Sequence, residues 1–186
     1  MVPTPSIKDN KFYFLIYKLI IFALKVRRMD TNFWLFKTEP SSYSIDDLKN
    51  CPQSQDTWDG VRNYQARNFL RDDIKKGDII LIYHSSCKTP GIVGLAKVIK
   101  EKSPDFTSWD KKSPYYDPKS TKENPRWFLV TIKFHKKFKS IISLEKLKAN
   151  PLLKNFQLLK KGNRLSILPV SSKEFDIILK IGNEKI

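Results

Sequence analysis

The segment 57–68 concentrates side chains that could recognise an anion or a base. Its sequence, TWDGVRNYQARN, places a glycine, two arginines, two asparagines and two aromatic residues at a predicted loop-to-helix junction. The free N–H groups of a helix start, together with Arg62 and Arg67, could bind phosphate, and Asn63 could read a base edge. The alternative interpretation is structural: a capped helix start, with Trp58 in the core and Arg62 in an ion pair.

Two other segments could complete a pocket for a base. Arg126 precedes Trp127, and an arginine beside an aromatic ring can stack on a base or contact phosphate. A predicted first strand ends in Lys37, Thr38 and Glu39. A base-binding pocket needs an aromatic wall and a few fixed polar groups, and these segments supply both.

The sequence contains no recognised catalytic or metal-binding signature. A Gly-rich phosphate loop, a G-x-S-x-G elbow and an H-E-x-x-H pair are all missing. His84 follows a predicted buried strand, where it could act as an acid or base or simply close the strand, and Cys87 three residues later is weak support for a nucleophilic dyad. Cys51 and Cys87 form no CxxC pair, so we expect no cofactor, no metal and a reducing, cytoplasmic or nucleoid-associated location.

The charge balance favours a polyanionic partner. Thirty-five Lys and Arg residues stand against nineteen Asp and Glu, which gives a net charge of +16 and a pI near 9.8. Such an excess attracts phosphates and releases counterions. The competing explanation is a lysine-rich composition of the whole proteome, since lysine outnumbers arginine and the lysines are scattered.

The first 29 residues differ in character from the rest. The apolar run 12–24 is interrupted by Lys18 and is shorter than the roughly 20 residues that a transmembrane helix needs. No small-residue cleavage motif follows it, as a signal peptide would require. We therefore predict an N-terminal extension over 1–29, read as translated upstream sequence before Met29 or as an ordered extension, with no stable membrane association. The domain itself is predicted over 30–186.

Short strands alternate with short helices along the predicted domain. Hydrophobic patterning predicts strands at 33–36, 79–83, 92–99, 127–138 and 164–170, and helices at 45–48, 62–74, 144–147 and 175–181. A proline-marked loop over 103–125 carries four aromatic residues, which favours a functional role. This order predicts an α+β fold with a mixed, barrel-like sheet.

Seven motifs, in this order, resemble the EVE domain family of PUA-like proteins. They are FWLFKTEP at 33–40, WDGVRNYQARN at 58–68, Gly77-Asp78, Tyr83-His84-Ser85, YYDPK at 115–119, PRW at 125–127, and RLS at 164–166 with Pro169-Val170. The first motif departs mildly from the usual pattern, with Phe36 and Thr38 where Met and Ser are common, but the hydroxyl group is retained. The resemblance runs from residue 33 to the last helix.

The resemblance implies a PUA-like mixed β-barrel with short flanking helices and a cleft that accepts a modified base, most often modified cytosine in DNA. Carried onto this chain, it implies ligand-binding roles for sixteen residues: Lys37, Thr38, Glu39, Gly60, Val61, Arg62, Asn63, Tyr64, Arg67, Tyr83, His84, Ser85, Arg126, Trp127, Arg164 and Ser166. The expected partner is DNA with modified bases, or modified or structured RNA.

Two further classes of function stay open at this point. An enzyme acting on a nucleotide or RNA would use His84 as acid or base, with Lys37 or Arg126 on the phosphate. An interaction scaffold would use the 103–125 loop. The sequence leaves the oligomeric state open.

Overall fold

A computed structural model describes residues 31–186, and its frame is one six-stranded mixed sheet. The strands are β1 (Phe33–Thr38), β2 (Gln55–Trp58), β3 (Ile79–His84), β4 (Gly91–Pro104), β5 (Phe128–Ser143) and β6 (Ile167–Val170). Their order across the sheet is β2-β5-β4-β3-β1-β6. All neighbouring pairs are antiparallel except β1 and β3.

The parallel pair brings two strand ends to the same edge of the sheet. The register runs from Phe33 opposite Ile79 to Thr38 opposite His84, so both strands finish side by side. β6 lies antiparallel on the other side of β1, and the backbone N–H of Lys37 donates to the Ser166 carbonyl oxygen at 2.8 Å. Three segments distant in sequence therefore meet at this edge.

Among the described residues, four short α-helices flank the sheet: α1 (Ile45–Asn50), α2 (Tyr64–Asn68), α3 (Leu144–Ala149) and α4 (Ser172–Gly182). Local capping explains where they begin. Ser44 with Asp47 forms a capping box at α1, and Ser171 with Glu174 forms another at α4. The Asn63 side chain accepts from the first N–H groups of α2, which continues into a π-helical turn over Phe69–Asp73.

The core lies on both faces of the sheet, because side chains alternate along each strand. Phe33 and Leu35 face a cluster formed with α3 and α4, where Phe175 stacks on Phe33 at 4.0 Å between ring centroids. Trp34 and Phe36 lie on the other face of the sheet, in a second cluster that also contains side chains from β3, β4 and β5.

The predicted elements agree with the structure in kind and differ in extent. The α+β class with a mixed sheet is confirmed, but β2 was not predicted, and β4 and β5 are longer than expected. The predicted helix 62–74 is in fact a short helix plus a π-turn. Within residues 31–186, no helix has the length and apolar character needed to cross a membrane.

Candidate functional site

A cavity of about 700 Å³ opens between the end of β1 and the segment 56–63. This volume lies within the roughly 300–1,000 Å³ typical of small-ligand sites. Its wall is both polar and aromatic. The lining residues are Lys37, Thr38, Glu39, Ser42, Tyr43, Asp56, Thr57, Trp58, Asp59, Gly60, Val61, Arg62, Asn63, Tyr115 and Ser166.

The end of β1 supplies a lysine with an unusual environment. Lys37 is half-buried, and desolvation lowers the pKa of its ammonium group. Its side chain forms no ion pair with any residue in the described range 31–186. Thr38, in contrast, uses its hydroxyl to donate to the Tyr43 carbonyl oxygen at 2.9 Å. Lys37 is therefore a cation available to a ligand.

Asp56 organises one part of the wall, and both of its carboxylate oxygens accept hydrogen bonds in doing so. Its Oδ2 accepts from the Tyr43 hydroxyl at 2.8 Å and from the Cys51 thiol at 3.4 Å, and its Oδ1 accepts from the Thr57 N–H at 2.8 Å. Burial, and then the Asp56 hydrogen bond, raise the pKa of Tyr43 far above its usual range. Tyr43 packs edge-on against Trp58, with centroids 6.1 Å apart. This cluster holds an aromatic surface against the cavity.

Gly60 lets the 103–125 loop approach the wall. Its φ is +72°, and a Cβ placed on it would lie 2.7 Å from the Tyr115 ring. Such a contact is shorter than real Cβ atoms make, so only glycine fits the position without a shift. Tyr115 itself remains 43% exposed and lines the cavity.

Arg62 ties the same loop to the wall through an ion pair with buried Asp105 at 2.7 Å. The guanidinium also donates to the carbonyl oxygens of Tyr115 and Val61 and to the Thr107 hydroxyl. Asp105 in turn accepts from the Gly60 N–H at 3.0 Å. The donors of Arg62 are thus occupied within the chain, as the structural interpretation of the sequence anticipated.

Beside the cavity, arginines and aromatic rings form a layered surface that we call the arginine rim: Tyr64, Arg67, Arg126 and Trp127. Tyr64 is half-exposed and stacks on Trp127 at 5.0 Å. Arg67 lies 5.0 Å from the centre of the Tyr64 ring, and Arg126 lies 5.8 Å from it and donates to its hydroxyl. Asp117 fixes the arrangement, since it accepts from the Trp127 indole at 2.7 Å and pairs with Arg126 at 3.4 Å.

The structure divides the sixteen predicted ligand-binding residues into three groups. Eight line the cavity: Lys37, Thr38, Glu39, Gly60, Val61, Arg62, Asn63 and Ser166. Four form the arginine rim, and four lie elsewhere: Tyr83, His84, Ser85 and Arg164. Ligand binding by any of the sixteen stays a prediction.

Seven residues that line the cavity are not among the sixteen predicted from the sequence. They are Ser42, Tyr43, Asp56, Thr57, Trp58, Asp59 and Tyr115. Asp59 and Trp58 stood inside the singled-out motif 57–68, so their position was a usable signal. Tyr115 reaches the cavity only through the fold of a long loop.

His84 has a structural contact that bears on the enzyme hypothesis. It is 9% exposed, and its Nε2 accepts from the Ile45 N–H at 3.2 Å at the start of α1. Burial lowers its pKa below the usual 6.5, which favours the neutral ring that this bond requires. No group of three or more His, Cys, Asp or Glu side chains within residues 31–186 is arranged to hold a metal.

A mixed sheet, short flanking helices and a cavity at the strand ends define a small PUA-like domain. The chain belongs to the EVE domain family, whose model matches residues 32–181. The family resemblance expected from the sequence is thereby confirmed.

The chain is similar to proteins from animals and bacteria. It is 45% identical over 169 residues to thymocyte nuclear protein 1 of Gallus gallus, covering 82% of this chain and 69% of the relative. A crystal structure of a Pseudomonas syringae protein is 44% identical, with a TM-score of 0.76, and covers 80% of this chain and 98% of that one. The human THYN1 protein, solved in complex with 5-methylcytosine-containing DNA, is 42% identical, with a TM-score of 0.78, and covers 84% of this chain and 100% of that one.

Proposed function

We propose that this protein is a nucleic-acid-binding module that recognises a modified base, with modified cytosine in DNA as its principal target. The base would enter the cavity, and the arginine rim would hold the flanking backbone. The observation that carries the proposal is the solved complex of a relative of the same fold, 42% identical, with 5-methylcytosine-containing DNA.

The cavity has the composition that base recognition requires. Trp58 and Tyr115 offer aromatic surface, while Lys37, Asp59 and Asn63 offer polar groups. A base inside a duplex must be turned out of the stack before such a pocket can read it, and aromatic walls compensate for lost stacking. Discrimination would therefore reside in the cavity.

Affinity that is independent of sequence would come from positive charge. Arg67 and Arg126 lie on the same exposed ring, and Arg71 is near enough to Arg67 to lower its pKa, after the larger effect of burial. Cations crowded in this way are stabilised by phosphate oxygens. The chain as a whole carries +16, which adds long-range attraction.

Modified RNA is the second candidate within the same class, because stacking pockets and arginine rims serve single-stranded RNA equally well.

We propose no enzymatic activity, and the engagement of His84 with the Ile45 N–H supports this. We further propose residues 30–186 as the functional unit, with 1–29 as an extension, and a cytoplasmic or nucleoid-associated location. The family match over 32–181 supports the domain boundary.

The test is binding of the full chain to two DNA duplexes that differ at one cytosine, unmodified or 5-methylated, measured by fluorescence anisotropy at fixed near-physiological salt. A preference of tenfold or more, about 1.4 kcal/mol, is expected for the methylated duplex. Equal binding to both duplexes with a steep salt dependence would refute base recognition in DNA, and the same pair of measurements on RNA oligonucleotides would then decide the second candidate.

A further inference from the structure

Hydrogen-bonding groups on the cavity wall fall into two sets: those used within the fold and those left for a ligand. Asp56 belongs to the first set, because both of its carboxylate oxygens accept bonds from neighbouring residues. Thr38 uses its hydroxyl to donate to the Tyr43 carbonyl oxygen. Glu39 is an exposed residue whose Oε1 accepts from the Ser86 hydroxyl at 2.8 Å. Asp56 and Thr38 therefore shape the wall, and a ligand would have to compete for them.

Asp59 belongs to the second set. Its Oδ2 accepts from the Thr57 hydroxyl at 2.9 Å, while its Oδ1 has no hydrogen-bond partner among residues 31–186. The carboxyl group is partly buried and faces the same cavity. Desolvation raises its pKa, and the nearby carboxylates Asp105 and Asp56 add to the effect. Burial and the neighbouring carboxylates both destabilise the ionised Asp59 carboxylate. A hydrogen-bond donor placed beside it would therefore stabilise it.

Two other side chains on the wall offer hydrogen-bond donors that no described residue of the fold uses. The Lys37 ammonium group has no ion pair within the described residues. Asn63 uses its side-chain oxygen to accept from Gln65 and Ala66 at 2.9 and 3.1 Å, which leaves its amide N–H groups. Beside the exposed carboxylate of Glu39, the cavity thus offers one partly buried carboxylate acceptor, Asp59, together with at least two donor groups.

This set of groups matches a base with an amino group at position 4 better than a base with a carbonyl group there. Cytosine presents a donor, its exocyclic N4 amino group, where thymine and uracil present the O4 acceptor. The remaining edge atoms of cytosine, N3 and O2, are acceptors that donors on the wall would satisfy. A thymine in the same position would set its O4 against a carboxylate, leaving two acceptors facing each other without a proton.

We propose that Asp59 is the specificity-determining residue of the cavity: it accepts a hydrogen bond from the exocyclic amino group of the bound base and rejects bases that carry a carbonyl there. The inference rests on the proposed function, since it presupposes a base in the cavity. It adds a selection by the amino group to any selection by the methyl group.

5-Methylcytosine and thymine provide a sharp comparison, because they share the 5-methyl group and differ at position 4. The experiment measures affinity of the full chain for duplexes with cytosine, 5-methylcytosine or thymine opposite the same guanine. The thymine mismatch is easier to turn out of the helix, but this bias is the same for every variant and cancels when a variant's ratio of affinities is divided by that of wild type. Wild type is compared with Asp59→Ala, Asp59→Asn and the control Asp73→Ala.

Asp59→Ala should lower the ratio of 5-methylcytosine to thymine affinity about tenfold or more. Asp59→Asn should also lower it, because the amide can turn an N–H toward O4 of thymine. Asp73 is exposed, outside the cavity and the rim, so Asp73→Ala makes the same change of net charge and should leave the ratio unaltered. Thermal unfolding of each variant verifies that the domain remains folded.

An unchanged ratio in both Asp59 variants, with the preference for 5-methylcytosine over cytosine intact, would overturn the role of Asp59 and leave the proposed function standing. If wild type shows no preference for 5-methylcytosine over cytosine, the proposed function fails first and the inference with it.

Discussion

Replacing Asp105 with alanine removes the anchor between the 103–125 loop and the cavity wall. Asp105 is fully buried and accepts from the Arg62 guanidinium at 2.7 Å, from the Gly60 N–H at 3.0 Å and from the Thr107 N–H at 2.9 Å. Without the carboxylate, a guanidinium that is only 22% exposed loses its counter-charge, and two backbone donors lose their acceptor.

Breaking a buried ion pair from one side typically costs 3–5 kcal/mol, and the partial exposure of Arg62 places Asp105→Ala near the lower limit, at about 3 kcal/mol. For a domain of this size, each kcal/mol lowers Tm by roughly 2–4 °C, so a fall of roughly 6–12 °C is expected. Urea unfolding followed by tryptophan fluorescence measures the free energy, and a thermal melt measures Tm.

A double-mutant cycle separates the ion pair from the rest of the loop. Asp105→Ala, Arg62→Met and the double variant should show a coupling energy of about 1–3 kcal/mol, because each single change strands the other partner. An exposed carboxylate in the same loop, Asp110, serves as the control, and its replacement by alanine should cost no more than about 0.5–1 kcal/mol. A loss below about 1 kcal/mol for Asp105→Ala, or additive single changes, would refute the anchoring role.

Three further predictions address the wall, the buried histidine and the rim. Gly60→Ala should destabilise the domain by about 1 kcal/mol or more in urea unfolding and weaken binding, because the new Cβ meets the Tyr115 ring at a positive φ; an unaffected variant would contradict the close approach. The pKa of His84 is lowered in the folded state, so its contribution to stability is present above pH 6.5 and is lost as the pH falls below that value. Compared with His84→Gln, wild type should therefore lose stability on acidification, because the protonated ring cannot accept from the Ile45 N–H. Arg126→Gln should weaken binding to all duplexes alike and reduce the slope of log affinity against log salt by about 1, and a change in base preference instead would place Arg126 in the cavity's reading of the base.

Features governed by neighbouring residues were predictable from the sequence. The capping pairs at Ser44 and Ser171 lie within four residues of their partners, and both helices begin there. The continuous apolar run 79–83 became a strand buried on both faces, as its composition required. Asp78 belongs to one of the family motifs, but its role here is structural. It is 1% exposed and accepts from the Trp34 indole at 2.9 Å.

Features that depend on distant pairing were not predictable. β2 consists of Gln55, Asp56, Thr57 and Trp58, which lack the β-branched alternation of a strand, and it exists because it pairs with β5 more than seventy residues away. The same applies to the cavity. The sequence identifies the motif 57–68, but it does not determine whether Arg62 contacts a phosphate or a carboxylate. That depends on the position of Asp105, whose carboxylate the fold brings within 2.7 Å of the Arg62 guanidinium.

Under the proposed function, the division between occupied and unoccupied groups would explain how so small a domain can read a base. Asp56 and Asp105 spend their oxygens inside the fold, and in doing so they fix the positions of Trp58, Gly60 and Arg62 around the cavity. Because these contacts are made before any ligand arrives, the ordering cost is met by folding and does not reduce affinity. The groups left over, above all Asp59, are therefore held in a defined geometry, and under the proposed function a base with a misplaced donor or acceptor would not be accommodated by a simple side-chain adjustment.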